Sequence, residues 1–186
     1  AGGVIRLESE TQSFFLRGHV SQCNYQHFSS FKKDFIPVEL TIQLEESENE
    51  NMKITEAEKI QGAGIVDACA DVVTTLYQRS NQLPLLIGIG MPGLKTKDQR
   101  GIAVIKNGPR IPRFSDKLDE KLEQRGISLL VSIQRLGSDA EYCSFGEEYG
   151  QGGLFKNIRN GYYLGGGTGA ADGLKLNGKL VSFDQS

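Results

Sequence analysis

The pattern of apolar and polar residues predicts a chain that mixes strands and helices. Apolar residues alternate with polar ones along Phe35–Leu44, which is typical of a strand with one buried face. Val4–Leu7 and Ser13–Leu16 are short and apolar-rich, and they predict a first hairpin. Leu174–Val181 holds two alternating strands around Asn177-Gly178, a dipeptide that suits the positive φ angles of a type I′ turn. The sequence therefore predicts antiparallel strands towards both ends of the chain.

The middle of the chain predicts helices that alternate with fully buried strands. Apolar residues recur at helical spacing from Thr55, which forms a capping box with Glu58, to about Gln78. Ser115 is expected to cap a second helix that runs to about Gln124. The other predicted elements are two strands buried on both faces, one helix and one short strand: Leu85–Gly90, Ile127–Ile133, Asp139–Tyr149 and Tyr162–Leu164.

Composition and charge exclude several classes of partner. The formal net charge is −2 and the chain has no basic stripe, so nucleic acid and membrane are not expected as partners. The longest apolar run, Leu83–Ile89, is too short to cross a bilayer. The acidic run Glu45–Met52 is interpreted as a solvated loop tip. The scattered cysteines, with only two histidines, predict a cytoplasmic protein with reduced thiols and no zinc site in this chain: Cys23, Cys69 and Cys143.

A glycine-rich segment, Gly165–Ala170, matches the G-x-G-x-x-A form of a dinucleotide-binding loop. In such a site the glycines open a helix, whereas here Gly173 leads directly into the predicted hairpin. The P-loop pattern also fails, because no Gly-Lys-Ser/Thr follows. Two interpretations remain: a tight turn, or a strand–turn–strand loop whose backbone N–H groups approach a phosphate.

Four motifs together resemble the ROK family of bacterial glucokinases, related sugar kinases and repressors. The family belongs to the actin–Hsp70–hexokinase superfamily, and the resemblance covers roughly Ile87 to Leu180. The motifs occur in the family's order and with fitting spacing: Ile87-Gly-Ile-Gly-Met-Pro-Gly-Leu94, Gly137-Ser-Asp-Ala140, Tyr163-Leu-Gly-Gly-Gly-Thr-Gly169 and Leu176-Asn-Gly-Lys-Leu180.

The resemblance implies an α/β fold, a ribonuclease-H-like mixed sheet with flanking helices, followed by the first strands of a second similar domain. The implied limits are residues 1–155 for the N-terminal domain and 156–186 for the start of a truncated, ATP-binding C-terminal domain. It implies transfer of a phosphoryl group from ATP, with Mg²⁺, to a sugar, in a cytoplasmic parent protein that could form a homo-oligomer. Asp139 matches the catalytic base, which would accept the proton of the sugar hydroxyl. The other implied site residues bind phosphate (Gly2, Gly3, Gly165, Gly166, Gly167, Thr168, Gly169) or substrate (Gly90, Pro92, Asn107, Ser138).

Departures from the family's pattern keep alternatives open. Ser138 and Glu141 stand where the family has asparagine on either side of the catalytic aspartate, and the first phosphate loop is incomplete. The competing hypothesis is therefore a non-catalytic, sugar-sensing or scaffolding relative, while an oxidoreductase is disfavoured by the hairpin. Asp139 is also interpretable as an ordinary helix cap. Arg110 and Arg113 are either solvated loop residues or contacts for an anionic substrate.

Overall fold

The computed structural model describes residues 1–8, 13–166 and 170–181, and within them it is a mixed α/β structure. Four α-helices occur in these residues: α1 (Leu40–Glu48), α2 (Glu56–Arg79), α3 (Phe114–Gln124) and α4 (Asp139–Tyr149), with a short 3-10 helix at Tyr25–His27. The strands in the same residues are β1 (Gly2–Glu8), β2 (Ser13–Ser21), β3 (Ile89–Gly90), β4 (Leu94–Lys95), β5 (Ile102–Val104), β6 (Leu136–Gly137), β7 (Gly161–Gly166), β8 (Ala170–Leu176) and β9 (Lys179–Val181). In these residues no helix is long and apolar enough to cross a membrane.

The strands form small sheets. β1 pairs with β2, β3 with β6 and β4 with β5, while β7, β8 and β9 form an antiparallel three-stranded sheet. The predicted α/β class is confirmed. The ribonuclease-H-like arrangement around one larger sheet stays a prediction.

The chain divides into two compact units. Unit 1 comprises Ala1–Val4, His19–Gly88 and Gly93–Leu136, and unit 2 comprises the described residues of Ile5–Gly18, Ile89–Pro92 and Gly137–Ser186. Helix α4 thus belongs to the same unit as the β7–β9 sheet. The predicted domain limits, 1–155 and 156–186, concern a longer parent protein and stay a prediction.

Unit 1 has its core between α2 and α3. The predicted capping box starts α2: the Thr55 hydroxyl accepts the Glu58 backbone N–H at 3.2 Å, and the Glu58 carboxylate accepts the Thr55 backbone N–H at 2.9 Å. Val66 of α2 and Leu118 and Leu122 of α3 are buried, as the helical spacing predicts. α3 itself begins at Phe114 with Arg113 at the N-cap, so the prediction that Ser115 caps it is wrong. The reason is that both Phe114 and Ser115 are fully buried in the first turn.

The predicted strand Phe35–Leu44 is wrong: residues 35–39 are not strand, and the rest of the segment belongs to helix α1. A tertiary contact explains this outcome. Gln43, a polar position of the alternating pattern, is fully buried. Its side-chain amide donates to the carbonyl oxygens of Val38 (2.5 Å) and Ile105 (3.1 Å) and accepts the Ile105 N–H at 2.8 Å. The helix therefore supplies hydrogen bonds to the chain that leaves β5, which alternation cannot reveal.

The prediction of two strands buried on both faces, at Leu85–Gly90 and Ile127–Ile133, is also wrong for most of their length. Leu85 and Leu129 form one isolated parallel bridge, and of the run Leu85–Gly90 only its last two residues form a strand, β3. Leu86, Leu130 and Val131 are exposed. Apolar composition predicts burial only where further strands or helices cover both faces, and within the described residues these side chains lack that cover.

Unit 2 combines the predicted hairpin with α4. Asn177 (φ 51°) and Gly178 (φ 81°) link β8 to β9, so the type I′ hairpin is confirmed. Ser144 of α4 lies so close to Gly173 that any side chain at residue 173 would collide with its hydroxyl. Beside it, the buried Lys175 ammonium donates to the Glu148 carboxylate (2.5 Å) and the Phe155 carbonyl (2.8 Å). These contacts fix α4 on the sheet.

Candidate functional site

The predicted catalytic aspartate lies at the N-terminus of α4, where the helix begins at Asp139. The N-cap is Ser138, whose hydroxyl accepts the Glu141 backbone N–H at 2.9 Å, so the interpretation of Asp139 as the cap is wrong. Asp139 is the first residue of the helix and is exposed, and its carboxylate accepts the Ala140 N–H at 3.1 Å. The site thus presents an accessible carboxylate on a helix terminus that a second side chain caps.

The Gly-Ile-Gly-Met-Pro segment lies against the same helix terminus. The Met91 backbone N–H donates to the Gly137 carbonyl at 3.0 Å, which joins the end of β3 to the end of β6. A Cβ on Gly90 would lie 3.2 Å from the Ser138 carbonyl oxygen, so a glycine permits this close approach. Two of the four predicted substrate-binding residues, Gly90 and Ser138, are therefore in contact, and Pro92 follows Gly90 by two residues in the same unit.

The glycine-rich loop connects two paired strands. Gly165 and Gly166 end β7 and pair with Ala171 and Ala170 of β8. Gly167, Thr168 and Gly169 lie outside the described residues. Since the chain is strand from Ala170 to Leu176, no helix opens there, which agrees with the argument against a dinucleotide site.

The remaining predicted site residues belong to unit 1. Gly2 and Gly3 lie in β1, where a Cβ on Gly2 would be 2.9 Å from Val72 and 3.2 Å from Leu76 of α2. Gly2 therefore has a packing role on α2, which is independent of any phosphate. Asn107 is exposed in the loop after β5.

A cavity of about 110 Å³ lies inside unit 2, between α4 and the β8–β9 hairpin. Ser138, Glu141 and Phe145 line it from the helix, and Asp172 and Leu180 line it from the hairpin. The Tyr162 hydroxyl donates to the Asp172 carboxylate at 3.1 Å, and this hydrogen bond raises the pKa of Tyr162. Sequence reasoning noted Glu141 only as a departure and missed Asp172, because no local pattern indicates that the hairpin faces the helix.

Neither interpretation of Arg110 is correct, because its side chain is buried in unit 1 and ion-paired there. Its guanidinium binds the Glu58 carboxylate through two nitrogens at 2.7 and 2.9 Å, the Glu46 carboxylate at 2.6 Å and the Lys53 carbonyl at 3.0 Å. Glu46 belongs to α1, so this part of the acidic run is not a solvated loop tip. Arg113, in contrast, is 67% exposed at its side chain and matches the solvated interpretation.

Comparisons with known proteins give a distant structural likeness. No family model matches the chain, and no curated protein matches it. Among solved structures, it is similar to one described as "a putative sugar kinase" from Cytophaga hutchinsonii, at 21% sequence identity and a TM-score of 0.49. The match covers 70% of this chain and 42% of that chain, so the present chain spans less than half the length of that protein. Similarity at this level assigns neither a family nor an activity, and membership of the ROK family stays a prediction.

Proposed function

We propose that this chain is part of an ATP-dependent, ROK-type kinase that phosphorylates a sugar or sugar derivative. The observation that carries the proposal is the accessible carboxylate of Asp139, on a capped helix terminus against which the glycine segment at Gly90 packs. A positioned carboxylate of this kind can accept the proton of a hydroxyl as the hydroxyl attacks a phosphorus atom. The four ordered motifs support the same chemistry.

The residues present fit a magnesium nucleotide by the chemistry of their donors. Mg²⁺ in such sites keeps several waters and binds the phosphate oxygens of the substrate, so it would come with the nucleotide and leave the exposed Asp139 carboxylate available to the sugar hydroxyl. Glycine backbones offer N–H groups to phosphate without a Cβ in the way, which is the role proposed for Gly165–Gly169 and for Gly2 and Gly3. Bound ATP would supply the phosphoryl group. Asp139 would hold the hydroxyl of the sugar and take its proton, while Ser138, Gly90 and Pro92 would contact the sugar.

The proposal assigns the two sides of the site to two different parts of a longer parent protein. Residues 1–155 would carry the substrate side of the site, and residues 156–186 would begin the ATP-binding domain. A cytoplasmic location and a homo-oligomeric parent belong to the same proposal, which the resemblance to ROK kinases supports.

The test is phosphoryl transfer from labelled ATP to a panel of monosaccharides by the complete gene product that contains residues 1–186. Asp139→Asn should lower kcat by about 10²- to 10⁴-fold, the usual contribution of a general base, with folding unchanged. Asp34→Asn, at an exposed loop position of unit 1, is the matched control and should keep wild-type turnover. Wild-type turnover by Asp139→Asn would remove Asp139 from the chemistry.

A second candidate is a non-catalytic relative that binds a sugar and transfers nothing. Ser138 and Glu141 favour it, because they replace the two asparagines of the family's pattern. Sugar binding by the wild-type protein without phosphoryl transfer to any sugar of the panel would decide for this candidate.

A further inference from the structure

The ring of Tyr142 occupies the space that side chains at two glycines would need. A Cβ on Gly90 would lie 3.1 Å from Cδ2 of Tyr142, and a Cβ on Gly137 would lie 2.9 Å from the same atom and nearer still to Cε2. The Phe145 ring contacts Tyr142 edge to face, with the ring centroids 5.9 Å apart. Two backbone segments and a second aromatic ring therefore hold this ring in place.

Tyr142 nevertheless remains 37% exposed, at the same helix terminus as the candidate base. It follows Asp139 by three residues on α4, so the two side chains are neighbours on one face. Side chains on a helix lean towards its N-terminus, and Tyr142 therefore covers the turn that carries Ser138 and Asp139. A partly exposed ring that is already fixed loses little conformational entropy when a ligand packs on it.

We propose that the Tyr142 ring is the surface on which the sugar ring stacks while one of its hydroxyls reaches Asp139. This inference rests on the proposed function and narrows its substrate class. The C–H bonds on a face of a cyclic sugar form an apolar surface, and binding sites combine such apolar contact with a few placed polar groups. An acyclic polyol also carries several hydroxyls but has no rigid apolar face. The preferred substrate is therefore a pyranose, and an open-chain polyol binds weakly.

The inference explains why glycine occurs at residues 90 and 137. Neither glycine has a positive φ angle, so backbone conformation does not require it. Both leave room for the ring of Tyr142. The lack of a side chain at these two positions therefore allows an aromatic ring to lie at the site. A ring that served only to fill space could be replaced by an aliphatic side chain, and this difference makes the inference testable.

The test compares glucose with mannitol as ligands of the complete gene product, by saturation-transfer NMR and by steady-state kinetics. Tyr142→Leu keeps an apolar side chain but removes the aromatic face, and it should weaken glucose binding and raise KM about 3- to 10-fold, as expected from the loss of an aromatic contact. The loss should appear in KM more than in kcat, because the Asp139 carboxylate that takes the proton is retained. Tyr142→Phe should bind glucose like the wild type, and mannitol should bind weakly to all three proteins.

Tyr149→Leu is the matched control, because Tyr149 lies two turns further along α4, is 43% exposed and also contacts Phe145. It should leave glucose binding unchanged, and far-UV circular dichroism should confirm that each variant is folded. Equal glucose binding by Tyr142→Leu and the wild type, equal losses in the two leucine variants, or a Tyr142→Leu variant that does not fold would overturn the inference. Loss of activity in Asp139→Asn with no effect of Tyr142→Leu refutes the inference alone. A Tyr142-dependent glucose site in a protein that transfers no phosphate refutes the kinase proposal alone, and a wild-type protein that binds no monosaccharide refutes both.

Discussion

The substitution Arg110→Met tests whether the buried ion network of unit 1 stabilises the fold of that unit. Arg110 is 1% exposed, and its partner Glu58 is also 1% exposed. Methionine is unbranched and has no charge. The substitution therefore removes the guanidinium, while the methionine side chain fills most of the space that the apolar stem of Arg110 occupied. The Glu58 carboxylate would keep its hydrogen bonds from Thr55, at 2.9 and 3.1 Å, and from the backbone N–H of residue 110, at 3.3 Å. It would lose both guanidinium nitrogens of Arg110.

The expected loss of stability is large because a buried charge would remain without its opposite charge. Removing one partner of a buried ion pair costs about 3–5 kcal/mol, whereas a whole domain is stable by only about 5–15 kcal/mol. We expect Arg110→Met to lower the free energy of unfolding of unit 1 by at least about 3 kcal/mol. Arg113→Met is the control, because Arg113 is 67% exposed and its ion pairs with Asp116 and Glu120 are at the surface. Surface pairs contribute about 0–1 kcal/mol.

The effect of pH gives a second, independent check. Burial acts to raise the pKa of Glu58, but hydrogen bonds from Arg110 and Thr55 outweigh it and hold the pKa below its ordinary range. In the wild type this carboxylate therefore contributes stability above the unfolded pKa, about 4.3, and the contribution is lost as the pH falls through the lower folded pKa. Without Arg110 the effect of burial dominates, and the pKa of Glu58 should rise above its ordinary range. The difference in stability between the two proteins should then shrink as the pH falls from 7 to 5.

Urea unfolding, followed by tyrosine fluorescence and far-UV circular dichroism, measures both effects, since the chain has six tyrosines and no tryptophan. The reasoning fails if Arg110→Met and Arg113→Met differ by less than about 1 kcal/mol, the upper range for a surface pair. It also fails if the difference between Arg110→Met and the wild type is the same at pH 7 and pH 5.

Three further substitutions give predictions in unit 2. Lys175→Met should destabilise the β7–β9 sheet by about 3 kcal/mol or more, because it leaves the Glu148 carboxylate without its buried partner. Lys179→Met, at an exposed position, is the control and should have little effect. Thermal unfolding of both variants measures the difference. Gly173→Ala should cost about 1–3 kcal/mol because the new Cβ collides with Ser144, and a double-mutant cycle with Ser144→Gly should recover part of that loss, whereas additive effects would contradict the contact. Gly178→Ala should cost about 1 kcal/mol because its φ is 81°, and chemical unfolding that shows no change would argue against the type I′ turn.

The elements that could be predicted are those specified by neighbouring residues. The capping box at Thr55 sets the start of α2. The sequence also placed the start of α4 at Asp139, although the cap there is Ser138, which accepts an N–H three residues ahead. Asn177-Gly178 specifies its turn through its own φ angles. Each of these signals acts within four residues, so no knowledge of distant contacts was needed.

The elements that could not be predicted depend on distant partners. Gln43 reaches Ile105 across 62 positions of the chain, and α1 is stabilised by that contact rather than by an apolar stripe. Arg110 reaches Glu58 across 52 positions, which converts a loop arginine into a buried one. An alternating pattern or a polar run contains no information about such partners, so the sequence suggested a strand at Gln43 and a solvated side chain at Arg110.

The candidate site also combines features that the local sequence predicts with contacts that it does not predict. The order of the motifs suggested that Gly90 and Asp139 belong to one site, and the contact of Gly90 with Ser138 agrees with this. However, glycines of these motifs also have packing contacts in the structure. Gly90 and Gly137 receive the ring of Tyr142, so the position of the α4 terminus depends on these two glycines. A larger residue at either position would displace the Tyr142 ring, and at residue 90 it would also press on the Ser138 carbonyl next to Asp139, even if it touched no ligand. Loss of activity on substituting either glycine is therefore expected whether or not that glycine contacts a sugar, and only variants of Tyr142 and Asp139 can separate the two roles.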